Sequence, residues 1–247
     1  KEKRNGNLKR FKFPEKCPIC SSDILSNNQE SILRCIGGMR CRAQKRGAFI
    51  HFVSRGAMNV EGMGEKLIDQ LINKNLINYL DDLYSLDLNS LKQIDRMGSK
   101  SAENLIESIE RSKKTTFPKF IYSLGIRNVG QGTARILAKH FGSIEKLATG
   151  KNLEYQAIPD VGPIVAESVS LFFVDARNKI MIEQLLEKGI CWDKPSDYLK
   201  EKNIVFTGTL LRISRKEAQA KWEENGGTVL SSISSKVDYL VVGDTPG

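Results

Sequence analysis

Four of the chain's five cysteines fall within 25 residues, as Cys17-Pro18-Ile19-Cys20 followed by Cys35 and Cys41. A C-x-x-C pair places two thiolates on one ion from a tight knuckle. Cys35 and Cys41, with five residues between them, can close the tetrahedron from a second loop. The chemistry this implies is a structural Zn2+ held by Cys17, Cys20, Cys35 and Cys41. Four thiolates fill the shell, so such an ion folds the segment and leaves no position for a reacting water. No secretory context supports disulfides instead, whereas an iron–sulfur cluster stays open on spacing alone. Cys191, alone beside Trp192, reads as a small core hydrophobe, and His51 and His140 have no partner at metal-ligand spacing.

Anion binding is the second chemistry in the sequence. Gly64, Gly98, Gly130 and Gly162 recur at intervals of 34, 32 and 32 residues, and the last three are followed four residues later by Ala102, Ala134 and Ala166. Apolar runs of helical spacing flank each glycine. The period describes a repeated pair of helices in which glycine supplies the sharp turn and a small residue lets the second helix sit close to the first. The first N–H groups of that second helix, together with its dipole, form a ready anion site. Four such turns suit a polyanion. In the first copy, Val60-Glu61-Gly62-Met63-Gly64, two glycines flank Met63, allowing left-handed backbone on either side while Met63 points inward. The equivalent first position holds Arg96, Asn128 and Asp160 in the later copies, where Asn and Asp tolerate left-handed backbone best. Ser99 reads as a helix cap and Pro163 as a first helical residue.

Charge sharpens the assignment. Residues 1–58 carry 13 Lys and Arg against 4 Asp and Glu, residues 59–194 carry 18 of each and residues 195–247 carry 7 of each, so the formal +9 lies wholly at the N-terminal end. Within the neutral middle, residues 111–140 hold Arg111, Lys113, Lys114, Lys119, Arg127, Arg135 and Lys139 without an acid. An acid-free stretch centred on Gly130 reads as an electrostatic footprint for phosphates. The third hairpin is therefore expected to grip most strongly, and the fourth, with Asp160 in its turn, mainly to pack. No apolar run reaches the length of a membrane helix.

After Pro195 the pattern turns to strand, helix, strand, strand: 203–208, a helix from Ser214 to Asn225 with the capping box Ser214/Glu217, a stop at Gly226-Gly227, then 228–230 and 238–243. A parallel α/β sheet is expected. The sequence accordingly divides into a linker over 1–13, a four-cysteine zinc module over 14–58, a four-hairpin array over 59–194 and an α/β segment over 195–247. The whole is multidomain and mainly α. Because it begins at Lys1 and stops directly after an apparent strand, it is expected to be a fragment.

The four glycine turns resemble the helix-hairpin-helix motif, and the last segment resembles the first half of a BRCT domain. In some BRCT domains a Ser or Thr followed by Gly ends the first strand and helps bind phosphate; Thr207-Gly208 match, as a possible phosphate turn. The order of cysteine module, four hairpins and BRCT-like start resembles the C-terminal half of bacterial NAD-dependent DNA ligases. That resemblance implies a monomeric bacterial protein, cytoplasmic and nucleoid-associated, that holds nicked double-stranded DNA by its backbone, without membrane contact. The BRCT-like module would add a protein or DNA contact. The DNA-facing residues would be Gly62, Gly64, Arg96, Gly98, Lys100, Arg127, Gly130, Gly132, Arg135, Lys139 and Gly162. The family's adenylation motif, lysine-x-aspartate-glycine, has no match here; Lys236-Val237-Asp238-Tyr239 lacks the glycine. NAD and Mg2+ are therefore implied only for missing catalytic domains, and this stretch alone is expected to be inactive. The alternative is a non-catalytic repair or replication scaffold carrying the same modules. A nuclease reading fails for want of a carboxylate cluster spaced to hold magnesium.

Overall fold

In the computed structural model, the described residues are 13–26, 33–193, 199 and 202–245. The expected linker falls, but for Phe13, outside them, as does the expected boundary at 194/195. The elements in chain order are β1 (Ile24–Ser26), β2 (Leu33–Cys35), α1 (Arg42–Val53), α2 (Glu65–Asn73), α3 (Leu88–Leu91), α4 (Ser99–Ser112), β3 (Lys114–Thr115), α5 (Phe117–Ser123), α6 (Gln131–Phe141), α7 (Ile144–Thr149), α8 (Asn152–Gln156), α9 (Pro163–Val174), α10 (Ala176–Glu187), β4 (Cys191–Trp192), β5 (Asn203–Thr207), α11 (Arg215–Glu224), β6 (Thr228–Val229) and β7 (Tyr239–Val242). Two compact units result. One comprises residues 1–112 with 177–188, the other 113–176 with 189–247.

In the first unit, β1 and β2 form an antiparallel ribbon with Ile24 opposite Cys35. Cys41 then serves as N-cap of α1, so the last cysteine of the cluster is also the start of a helix. Phe49 and Phe52 of α1 are fully buried, as are Ile68 and Leu71 of α2; they are the apolar positions whose helical spacing the sequence shows. A 3-10 turn over Leu80–Ser85 carries Tyr84, whose hydroxyl meets Ser112 Oγ of α4 at 3.2 Å. Lys188, just past α10, donates to Ser85 Oγ at 2.7 Å.

The second unit contains α5 through α9 and the α/β segment. Along Ile190-Cys191-Trp192 the side chains alternate, as strand geometry requires. Ile190 is buried and Trp192 stacks on Phe117 and Phe120 at 5.1 and 4.8 Å between ring centres. Cys191 is exposed, which corrects its reading as a core hydrophobe: β4 places it on the outward face. The C-terminal sheet has the order β6-β5-β7 with both pairings parallel, Ile204 opposite Val229 on one side and Tyr239 on the other. The Ser214/Glu217 capping box closes in both directions. Parallel neighbours need a crossover, and α11 supplies the one between β5 and β6. The expected parallel α/β segment is therefore present.

Candidate metal centre and nucleic-acid interface

The four sulfurs Cys17, Cys20, Cys35 and Cys41 lie within 4.8 Å of one another. A tetrahedral Zn–thiolate site with bonds of about 2.3 Å needs sulfur separations just under ~4 Å, so a small contraction brings the set onto one ion. Cys20 and Cys35 Sγ are already 3.4 Å apart. Two knuckles aim the sulfurs: Ser21 N–H returns to Cys17 C=O at 2.8 Å, and Cys41 N–H to Gly38 C=O at 3.0 Å. Hydrogen bonds from Ser22, by side chain and backbone, hold the Cys20 thiol down to about 6. At Cys35 the Gly37 N–H, 3.2 Å from Sγ, pulls the other way from burial and the neighbouring Cys20 and Cys17; the latter prevail and push the thiol up to about 12. The set can hold a metal ion.

The cysteine spacing does not by itself single out Gly37. A Cβ there would lie 2.8 Å from Cys20 Sγ and 3.1 Å from Cys41 Cβ, so glycine is what lets the second knuckle close on the first. The Gly37-Gly38 pair between two cysteines was the available signal.

The hairpin turns share one geometry. Met63, Met97, Val129 and Val161 donate their N–H to Val60, Ile94, Ile126 and Ile158, three residues back, at 3.4, 3.2, 3.1 and 3.1 Å. In each turn the residue before the donor is left-handed: Gly62 at φ +85°, Arg96 at +64°, Asn128 at +60° and Asp160 at +65°. The third residue of a four-residue turn is where such backbone is demanded. Gly64, Gly130 and Gly162 have φ of −77°, −85° and −73° and are the N-caps of α2, α6 and α9, and Gly98 is not left-handed either. The turn is therefore made by the first position alone; left-handed backbone on both sides of the apolar residue does not occur. Ser99 likewise is the first residue of α4 and not its cap, because Gly98 C=O accepts the first helical bond, from Ala102 N–H at 3.0 Å. Met63 is buried as expected, and Ala102, Ala134 and Ala166 are fully buried.

Glycine at the cap position answers to nothing among the described residues. A Cβ at Gly64, Gly98, Gly130 or Gly162 would have none of their atoms within 4 Å, and the same holds for Gly132. Each is exposed beside the unspent N–H groups of a helix start. What the missing side chain provides is close access from outside, the property a phosphate on a backbone donor requires.

The candidate DNA-facing residues divide between the units. Gly62, Gly64, Arg96, Gly98 and Lys100 belong to the first, where Gln70 Oε1 of α2 accepts from Asp95 N–H at 3.0 Å and ties the first two turns together. Arg127, Gly130, Gly132, Arg135, Lys139 and Gly162 belong to the second, where Asn128 Nδ2 donates to Ser168 Oγ of α9 at 3.1 Å. Gln70 and Ser168 both stand six residues after their cap glycine, and each accepts a hydrogen bond from the turn of the neighbouring hairpin, Gln70 from a backbone N–H and Ser168 from a side-chain amide. Lys100, Arg135 and Lys139 are exposed and Arg127 is half-buried. Lys139 Nζ also lies 3.4 Å from Thr228 Oγ1, and Arg111 pairs with Glu61 at 3.3 Å. Gly208, by contrast, has an internal reason: its φ is +74° and a Cβ would meet Asp244 C=O at 2.7 Å. Thr207 ends β5, and Arg215 of α11 donates to Gly208 C=O at 2.8 Å.

Comparison with known proteins agrees in module order. Family models match as a SAM-like helix-hairpin-helix tandem over residues 55–111, a helix-hairpin-helix motif over 119–182 and a BRCA1 C Terminus (BRCT) domain over 194–247. A DNA ligase of Legionella pneumophila (strain Corby) is 44% identical over 253 aligned residues, covering 100% of this chain and 38% of the relative. One from Methylococcus capsulatus (strain Bath) is 44% identical, covering 100% and 37%, and one from Coxiella burnetii (strain CbuK_Q154) is 41% identical, covering 99% and 37%. The chain thus spans somewhat over a third of the length of these relatives. No helix among the described residues is long and apolar enough to cross a membrane. Matched from one end to the other, with tandem hairpins followed by a BRCT segment, the chain belongs to the DNA ligase family as a part of such a protein.

Proposed function

We propose that this chain is the C-terminal, duplex-holding part of an NAD-dependent DNA ligase that seals single-strand nicks, joining a 5′-phosphate to a 3′-hydroxyl in replication and repair. The observation that carries this reading is the set of four cap glycines whose absent side chains meet only open space. Internal packing and backbone strain usually explain glycines at repeated positions. Neither applies here, and an external polyanion does. Backbone N–H groups at the four turns, with Arg96, Lys100, Arg127, Arg135 and Lys139 around them, would grip sugar-phosphate rails and leave base edges unread. Double-stranded, nicked DNA is the partner, bound by a monomer in the bacterial cytoplasm and nucleoid.

Within such an enzyme the chain's part in catalysis is geometric. Holding both sides of a nick in register lowers the orientational entropy that the sealing step must overcome; NAD and Mg2+ would act in domains outside this stretch. The 14–58 module would hold Zn2+ through Cys17, Cys20, Cys35 and Cys41, supplying local folding energy alone. The 59–194 region would be the DNA-binding array, and 195–247 a BRCT-like module offering a protein or DNA contact, with Thr207-Gly208 as a phosphate turn. The test is affinity for intact and nicked duplexes of several sequences across a salt series. The expected result is equal affinity for all sequences, with log K falling steeply against log salt. Marked preference for one sequence, or affinity flat in salt, overturns the reading.

A further inference from the structure

The first hairpin has a feature that its role in holding duplex does not explain. Its cap glycine, Gly64, is followed at once by Glu65, and Asp69 sits one turn further along α2. Two carboxylates at the mouth of a phosphate site would repel the ligand the turn is shaped for. Both are occupied. Arg46, reaching across from α1, donates Nε to Asp69 Oδ1 at 2.7 Å and Nη2 to Glu65 Oε2 at 2.8 Å, with a further contact to Asp69 Oδ2 at 3.3 Å. One planar guanidinium thus spans both acids, a geometry for which lysine has no equivalent.

We infer that Arg46 is a charge-masking, positioning residue for DNA binding: it turns the acidic start of the first hairpin's second helix into a surface on which a phosphate can rest. The inference rests on the duplex-holding reading given above. Several observations point the same way. Lys66, next to Glu65 on the same first turn, is exposed, as is Gly64, so the turn keeps an exposed cation and an open approach once its acids are paired. The position equivalent to Lys66 in the second hairpin is Lys100, already among the candidate DNA-facing residues; in the fourth it is Ile164, in the hairpin whose turn carries Asp160. Neighbouring contacts hold Arg46 in place from α1. Arg42 Nη2 donates to Asn73 Oδ1, Lys45 Nζ to Asn78 Oδ1 at 2.9 Å, and Gln44 Nε2 to Cys35 C=O at 2.5 Å. The helix that starts on Cys41 therefore carries the mask, which gives the cysteine module a direct part in the electrostatics of the first hairpin.

A charge-masking role and a merely structural one differ in what rescues the loss. Arg46→Gln keeps most of the stem and a hydrogen-bonding end while removing the charge. Measured on the full 247-residue chain with a 5′-phosphorylated nicked duplex at about 0.1 M salt, this variant is expected to bind about fivefold more weakly, as two carboxylates lose their neutralising partner beside a helix N-terminus that must attract phosphate. The triple variant R46Q/E65Q/D69N, which lacks the ion pairs altogether, is expected to return to wild-type affinity or exceed it. Thermal melts of the three proteins run alongside. If R46Q binds like the wild type, or if the triple variant stays as weak as R46Q, the inference is overturned and Arg46 is a structural clamp. Failure of the wild-type chain itself to bind duplex would instead overturn the functional reading on which the inference stands.

Discussion

Placing aspartate at Gly130 should move stability and DNA affinity in opposite directions. Gly130 is the N-cap of α6, has an extended φ of −85° and offers open space for a Cβ. Aspartate is among the best N-cap residues and glycine a middling one. The exchange should leave the fold unchanged or stabilise it by up to about 1 kcal/mol, through a side-chain bond to the second or third N–H and a favourable dipole interaction. The same carboxylate takes the N–H groups a phosphate would use and sets a like charge against it. At about 4 Å, two unit charges repel by ~1 kcal/mol in bulk water and ~4 kcal/mol at a protein surface. Even the lower figure predicts a loss of roughly fivefold in affinity and the upper one several hundredfold. The assay pairs urea denaturation with duplex binding across a salt series. A G130D protein that melts at or above wild type and still binds duplex with undiminished affinity would refute the idea that the bare cap is an anion seat. A protein that fails to fold would refute the assignment of open space around Gly130.

Other consequences are equally direct. Arg96→Gly relieves a left-handed φ of +64°, a conformation costing non-glycine residues about 1–2 kcal/mol; the melting temperature should hold or rise while duplex affinity falls, and a drop in both would show that Arg96 has a structural task. Gly37→Ala, which puts a Cβ 2.8 Å from Cys20 Sγ, should weaken metal retention in a chelator competition without melting α4 or α6. Chelation of wild type should unfold residues 14–50 while downstream helices persist, and a circular dichroism melt indifferent to chelator would count against a metal-held module. Asp81 is buried, with Oδ1 lacking a hydrogen-bond partner among the described residues, and burial raises its carboxyl above the ordinary value despite Lys188 nearby. A raised carboxyl favours the folded state below its unfolded value, and that contribution is lost as pH rises through the folded one. Asp81→Asn should therefore raise the melting temperature near pH 7, with the gain shrinking as pH falls into the acid range; a gain independent of pH would exclude this cause.

What the sequence disclosed and what it withheld follow from the range of the forces involved. The 34- and 32-residue intervals, the C-x-x-C knuckle and the Ser214/Glu217 capping box are local patterns, and their outcomes depend on a few neighbouring residues. Long-range placement is another matter. Cys191 beside Trp192 looks interior, yet a two-residue strand sends adjacent side chains to opposite faces, and only the position of Phe117 and Phe120 fixes which one goes in. Arg46 lies 19 residues from Glu65 and 23 from Asp69, so no periodic signal joins them. The mask exists because α1 packs on α2, a tertiary fact.

The glycine repeat carries the sharper lesson, since its positions were evident and its cause was not. A recurrent glycine invites an explanation from backbone freedom, and the turn does need one left-handed residue. That demand falls two positions earlier and is met by Gly62, Arg96, Asn128 and Asp160, so three of four copies tolerate the strain without glycine. The cap glycines, free of positive φ and of close neighbours, would lose nothing internally by gaining a side chain; serine or aspartate would cap the helices better. Retaining the weaker cap in all four copies means that selection acts on what lies outside the surface. The first position varies because any residue able to bear the strain will serve the fold. The second does not vary, as the proposed duplex contact requires, since a phosphate backbone would have to come within reach of the helix N–H groups. One turn thus separates a folding constraint from a binding constraint by two residues. Arg96 aside, whose long cationic side chain is itself a candidate phosphate contact, substitutions at the first should register mainly in melting curves and those at the second mainly in binding isotherms, and a set of variants showing the reverse would dismantle this division.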